Sequence, residues 1–384
     1  MIHSNISLIL TLSLLIWVSP FVAKFLRIPI PPVEIILGSV FAYLGFINHN
    51  EYFYLIAEVG FLYLMFLAGM EVDVKQITKS SKTVIQKSIL FLSLMVFFSI
   101  LSGMLFHLNM IIIISMPLIS IGLLASLAKV YGKEQPWIKL ALIAGVLGEI
   151  GSIAALTIFD AASNTGFGLA LISKLTYLIL FVLIVYLLYR LLHLLFWWFP
   201  EIKGILIPKL DTSDQDIRLA MSLFFILIAV MLSLRLELAL GSFIAGVAIS
   251  AFFHHEKKLE KKMSSLGFGF LVPLFFIHVG ASFDLRALSL DGVISGALLI
   301  TFLMIISRIL AAVTFKSISG SRDALLIALS LSMPLTLLVA VATIGYETKL
   351  LDLLSYYQLI LASIFEILIS MIIIKMLQTK NKQI

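Results

Sequence analysis

The chain has 384 residues, of which 61% are hydrophobic and 12% charged, with a mean hydropathy of +1.14. So little polar surface cannot cover a globule in water, which excludes a soluble domain and implies an integral membrane protein. The formal charge of +6 is then a question of membrane sidedness and not a nucleic-acid signal, and the absence of cysteine excludes disulfides and thiolate metal sites.

The first apolar run, Ile6 to Phe25, has no basic flank and no small-residue cleavage site, so it reads as a retained helix. A window of about 20 residues gives about thirteen candidate spans. They cover 6–23, 32–47, 52–70, 84–106, 109–128, 137–160, 168–198, 216–234, 237–253, 264–282, 292–315, 322–345 and 352–376. An odd count puts the termini on opposite sides. With the N-terminus outside and the C-terminus cytoplasmic, the cytoplasmic connections carry nearly all of the 27 Lys and Arg. The exceptions are Lys174, Arg235, Arg286 and Lys349 toward the outer side and Arg308 within a helix.

The longest polar stretch, Glu201 to Arg218, follows the seventh span. It divides the chain into a first six-helix repeat (1–160), a linker helix with a cytoplasmic loop (161–215) and a second six-helix repeat (216–384). Six spans and a connector reverse the direction of equivalent helices, which is the arithmetic of an inverted repeat. The fifth helices of the two halves share a flaw. One carries Ser115-Met116-Pro117 and Gly122, the other Ser332-Met333-Pro334 and Gly345. Proline removes a helical hydrogen bond, and paired interruptions point to a midplane site in a transporter. Either proline alone is a common helix kink.

Glu149 lies near the middle of an apolar run, Trp137 to Phe159, on the helix after the first interruption. A carboxyl at bilayer depth faces protein or a water-filled cavity and marks an ion or proton path; the bland alternative is a protonated structural carboxyl. Gly148, Gly151 and Ser152 around it admit another backbone closely. Ser115, Ser120 and Thr336 bring hydroxyls near the interruptions and can support an ion. Arg308 is the one cation deep in a span, to be read as a structural counter-ion, a snorkelling residue or part of the path. Glu366 mirrors Glu149 in the second half and is either the partner of Arg308 or a second titrating group. Glu58 and His278 sit nearer helix ends and read as structural, and Arg235 with Glu237 as a solvated pair. His254-His255-Glu256 lacks the spacing of a zinc site, so no metal beyond a transported cation is expected.

Three strings carry a family resemblance. They are Leu55-Ile-Ala-Glu-Val-Gly-Phe-Leu-Tyr-Leu-Met-Phe-Leu-Ala-Gly-Met-Glu-Val-Asp73, Leu240-Gly-Ser-Phe-Ile-Ala-Gly246 and Val272-Pro-Leu-Phe-Phe-Ile-His-Val-Gly280. The chain resembles the bacterial monovalent cation:proton antiporters, on the branch that includes the glutathione-gated potassium efflux systems. The resemblance implies an all-α polytopic fold with two crossed discontinuous helices, a scaffold that forms a homodimer, and placement in the inner membrane. It implies that Glu149 matches the carboxylate binding cation and proton in turn, and that Arg308 matches a basic residue beside the site.

The chain also departs from that family. Glu149 stands for Asp, Gly148 replaces a polar neighbour, and Met333-Pro334-Leu335-Thr336-Leu337 replaces a charged string. A single alternating carboxylate implies one Na⁺ or K⁺ against one proton, hence electroneutral exchange by alternating access. No cofactor is expected, and nucleotide or glutathione gating is not implied because no regulatory domain follows Lys375. Two rival readings are an ion-coupled carrier of a small solute, disfavoured by the few intramembrane Asn and Gln, and a non-transporting membrane subunit or sensor that has lost the ion site.

Overall fold

The computed structural model describes residues 2–26, 28–47, 50–71, 80–132, 134–165, 169–198, 214–234, 238–252 and 257–379. All regular structure among them is helical: α1 (Ile2–Leu26), α2 (Ile30–Tyr43), α3 (Glu51–Glu71), α4 (Lys82–Leu105), α5 (Met110–Ser115), α6 (Gly122–Tyr131), α7 (Pro136–Thr165), α8 (Leu169–Trp198), α9 (Gln215–Leu234), α10 (Leu238–Phe252), α11 (Lys257–Leu266), α12 (Val272–Ala281), α13 (Val293–Ala311), α14 (Lys316–Ser330), α15 (Leu335–Glu347) and α16 (Leu353–Thr379). Among the described residues, 8 helical stretches are long and apolar enough to cross a membrane. Helices α2, α10 and α15 are apolar but shorter.

The chain forms two compact units. The first comprises Met1–Glu58, Lys75–Ile153 and Pro273–Ile384, and the second Val59–Val74 and Ala154–Val272. In the first, Leu8 and Leu15 of α1 bury against Phe53, Leu274 and Ile277. Helices α2 and α12 meet backbone to backbone. A methyl on Gly38 would overlap the Ile277 carbonyl, one on Gly280 would overlap that of Ile35, and the Ser39 hydroxyl donates to the Gly280 carbonyl at 2.8 Å. Small residues allow this approach, and an interhelical hydroxyl bond adds to it. The second unit repeats the device. Gly69 of α3 lies on the Phe243 carbonyl of α10, and Gly246 of α10 on the Phe66 carbonyl of α3. Tyr63, Phe66 and Phe224 pack edge to face beside them.

Helix α11 starts at Lys257, earlier than the expected span at 264. Its sequence is charged, yet Leu259 and Met263, four residues apart, are both buried and anchor one face, while Lys261 is exposed. Lys262 donates to Asp214 and Asp216, each at 3.1 Å. A π-turn, Gly267–Leu271, joins α11 to α12, and the Val272 N–H reaches back to the Gly267 carbonyl. Pro273 supplies the cause, since its ring displaces the carbonyl four residues before it and it has no N–H to offer. Within α14 the helix is reset at Gly320, whose φ of 80° belongs to glycine.

The glycine crossings generate a prediction. Gly280→Ala should destabilise the protein by about 1–3 kcal/mol, because the methyl has only backbone to displace. Gly151→Ala, where a methyl meets nothing within 4 Å, should leave the thermal midpoint in detergent unchanged or slightly raised. Equal midpoints for the two variants would remove the crossing from the account of stability.

Candidate ion-binding site

Helix α5 stops at Ser115 and α6 resumes at Gly122, leaving Met116 to Ile121 outside any helix. Pro117 has no N–H, so the Ile113 carbonyl loses its helical donor and takes the Ser99 hydroxyl of α4 at 2.6 Å instead. Three further backbone groups find a side chain from another helix, and the Leu118 N–H turns back to the Ser115 carbonyl at 3.2 Å. The Leu118 carbonyl accepts from Arg308 Nη2 of α13 at 2.7 Å. The Ile119 N–H donates to Ser152 Oγ at 2.8 Å, and the Ile121 N–H to Glu149 Oε2 at 3.0 Å, both on α7. Such pairing is obligatory, because an unsatisfied backbone group in hydrocarbon costs several kcal/mol.

One face of α7 provides the acceptors. Gly145, Gly148, Glu149 and Ser152 recur at helical spacing and line up along it. A side chain at Gly148 would collide with Ile119, and one at Gly145 would press on Ile121 and on Leu331 of the second interruption. The glycines therefore let the unwound segment lie directly on the helix that carries the carboxylate. Glu149 itself is fully buried, with the Ser120 hydroxyl beside it. Its Oε2 is held by the backbone, whereas Oε1 is buried and has no protein partner.

Arg308 is also fully buried, so its charge does not reach the interface. Its Nη1 pairs with Glu366 Oε1 of α16 at 2.7 Å and donates to the Met304 carbonyl at 3.2 Å. The pair is single-pronged, since Arg308 Nε and Glu366 Oε2 have no partner. Arg308 thus ties Glu366 to the Leu118 carbonyl, three residues from the amide that holds Glu149.

The second interruption lies between α14 and α15, with Pro334 at its end. Hydroxyls serve it, not charges: Ser332 donates to the Ala328 carbonyl at 2.9 Å, and Ser370 lies 3.5 Å from the Ser332 carbonyl. Thr336 Oγ1 is buried without a partner. The half-helices pack reciprocally, α5 on α15 and α6 on α14, and Gly345 meets Ile111 there, away from the interruption itself.

The remaining sequence candidates separate from the site. The Ser115 hydroxyl donates to Ile112 in its own helix at 2.8 Å. Pro117 and Gly122 mark the first interruption. Glu58 is partly buried near Tyr54, and the His278 ring packs edge-on against Phe53 and Tyr54. Arg235, Glu237 and His254-His255-Glu256 lie outside the described residues, and among those that are described no group of three His, Cys, Asp or Glu can hold a metal ion. Sequence reasoning passed over Glu34, a carboxyl 3% exposed in α2, although its place within an apolar span was a sufficient signal.

A buried carboxylate against an interrupted helix in a polytopic helical protein is the arrangement expected of a membrane ion carrier. The chain matches the family described as sodium/hydrogen exchanger, transmembrane, over residues 9–380, and it belongs to that family. It is 24% identical over 408 residues to YjbQ of Bacillus subtilis, a protein provisionally named a Na⁺/H⁺ antiporter, and covers 65% of that protein's length with 100% of its own. It is 25% identical over 361 residues to a Na⁺/H⁺ antiporter of Enterococcus hirae, covering 89% of each chain. Its fold is similar to that of the sodium proton antiporter MjNhaP1 from Methanocaldococcus jannaschii, with a TM-score of 0.67 at 18% identity over 97% of this chain and 95% of that one.

The ion pair is directly testable. Removing one partner of a buried pair strands the other charge at a cost of about 3–5 kcal/mol, whereas removing both costs much less. Arg308→Ala and Glu366→Ala should each lower the thermal midpoint in detergent, and the double variant should recover part of the loss. An additive double-mutant cycle would show that the two do not depend on each other.

Proposed function

We propose that this chain is a secondary antiporter that exchanges a monovalent cation for a proton across the cytoplasmic membrane, with Glu149 carrying the two in turn. The observation that carries the reading is the divided state of that carboxylate: Oε2 is fixed by the Ile121 N–H in the unwound segment, and Oε1 is buried without a protein partner. Such an oxygen takes either a proton or a cation, and the backbone bond keeps it in place for both. The similarity to proteins named Na⁺/H⁺ antiporters supports Na⁺ as a substrate, and K⁺ is carried as a second candidate.

The finer architecture belongs to the same proposal: about thirteen spans in a 6+1+6 inverted repeat, divided at 1–160, 161–215 and 216–384, with N-terminus outside and C-terminus inside, assembled as a homodimer. Pairs of sequence matches support the repeat. Ser332, Pro334 and Glu366 follow Ser115, Pro117 and Glu149 by one constant interval. Leu37-Gly38-Ser39 recurs as Leu240-Gly241-Ser242, and the glycine and aspartate of Gly69 to Asp73 recur at the same spacing in Gly280 to Asp284. In an inverted repeat of this order, the α2/α12 crossing is the image of the α10/α3 crossing. Exchange then proceeds by alternating access, with the carboxylate reached from one side at a time.

Glu149→Gln should abolish cation-driven proton movement in reconstituted vesicles carrying an internal pH dye, because the amide keeps the shape but neither ionises nor releases a proton. Wild-type rates in a folded Gln variant would remove Glu149 from the mechanism. Glu149→Asp should retain partial exchange with altered cation affinity.

With Glu149 the sole alternating group and Arg308 charged throughout, each cycle moves one cation one way and one proton the other. No net charge crosses, although one elementary charge would be worth about 2.3 kcal/mol per 100 mV. In vesicles clamped with potassium and valinomycin, the Na⁺-driven pH end point should be the same at every voltage. An end point that tracks voltage would require a second proton in the cycle.

A further inference from the structure

We infer that Glu34 is a second proton-binding site, built between α1 and α2 and separate from the Glu149 exchange site. Glu34 is 3% exposed and Ser19 fully buried. Pro20, inside α1, has no N–H to give the Ile16 carbonyl four residues earlier. The Ser19 hydroxyl lies 3.4 Å from that carbonyl and 3.2 Å from Glu34 Oε1. One hydroxyl proton thus stands between two acceptors. Spent on the carboxylate, it leaves the Ile16 carbonyl with no donor; spent on the carbonyl, it leaves a bare buried carboxylate.

A single added proton resolves both. The Glu34 O–H donates to Ser19 Oγ, and the Ser19 O–H donates to the Ile16 carbonyl, so each acceptor in the chain has a donor and no charge remains. The alternative, an ionised Glu34, needs a counter-charge, and among the described residues none is paired with it. On α1, Lys24 is exposed to the surroundings. On α16, Glu366 is committed to Arg308, and Lys375 is exposed. Beside α2, Arg286 sits over the Tyr43 ring at 5.8 Å, Asp284 caps the Arg286 N–H, and His278 of α12 packs on Phe53 and Tyr54. Among the described residues, Ser19 is the side chain hydrogen-bonded to the Glu34 carboxyl. An uncompensated carboxyl among apolar groups is neutralised by taking up a proton.

The test is infrared spectroscopy of the full chain in lipid, reading the carbonyl stretch of protonated carboxyl groups in H₂O and D₂O. The Glu149→Gln protein should retain a deuterium-sensitive carboxyl band at neutral pH, and adding Glu34→Gln should remove it. Ser19→Ala, which leaves the carboxyl in place, should shift the same band to higher frequency by removing its acceptor. This reads the site even where the Gln variant does not fold. An unchanged band in either variant overturns the proposal. Loss of a carboxylate band that responds to Na⁺ overturns it too, and would make the three oxygens a cation site.

Discussion

The structure around Glu149 depends on one constraint: a peptide chain unwound inside a bilayer has no water to bond, so every freed donor and acceptor must be met by the protein. Six residues between α5 and α6 create the demand. Ser99, Ser152, Glu149 and Arg308 meet it from three helices, and in doing so they fix where the carboxylate sits. The bonds that satisfy the unwound segment and the bonds that fix the Glu149 carboxylate are the same bonds. A neutral second interruption, served by hydroxyls and backbone turns, has no equivalent claim on charge, and this accounts for the asymmetry between two otherwise matching breaks.

Gly148 illustrates a trade between chemistry and approach. The sequence presents it as the loss of a polar neighbour to the carboxylate. In three dimensions its missing side chain is the space that the Ile119 side chain occupies, next to the Ile119 N–H that donates to Ser152. The second polar group and the Ile119 side chain compete for one position on α7, and this chain has the Ile119 contact.

The helical course, the two interruptions and the charged residues were legible because each leaves a local mark: an apolar run, a proline without its N–H, a lone charge among aliphatics. The Arg308–Glu366 pair could be read because few charges lie deep enough to choose from. What stayed hidden were bonds between a side chain and a distant backbone, such as Arg308 to Leu118 or Ser99 to Ile113, since any residue has a carbonyl and no pattern announces which one is free. Helix α11 extends ahead of the span expected at 264–282, because Leu259 and Met263 are buried beneath a run of lysines. Glu34 was overlooked although its signal was of the same kind as that of Glu149.

The paired glycines at the α2/α12 and α3/α10 crossings have a mechanical meaning beyond close packing. Where two backbones touch with no side chain between them, there is no rotamer to turn and no layer to shear, so the contact is either kept whole or broken outright. Each crossing therefore behaves as a weld: a force applied to one helix of a pair passes to the other without slack. Any slow step that leaves these welds intact must draw its motion from other joints, such as the proline-reset turn at Gly267–Leu271.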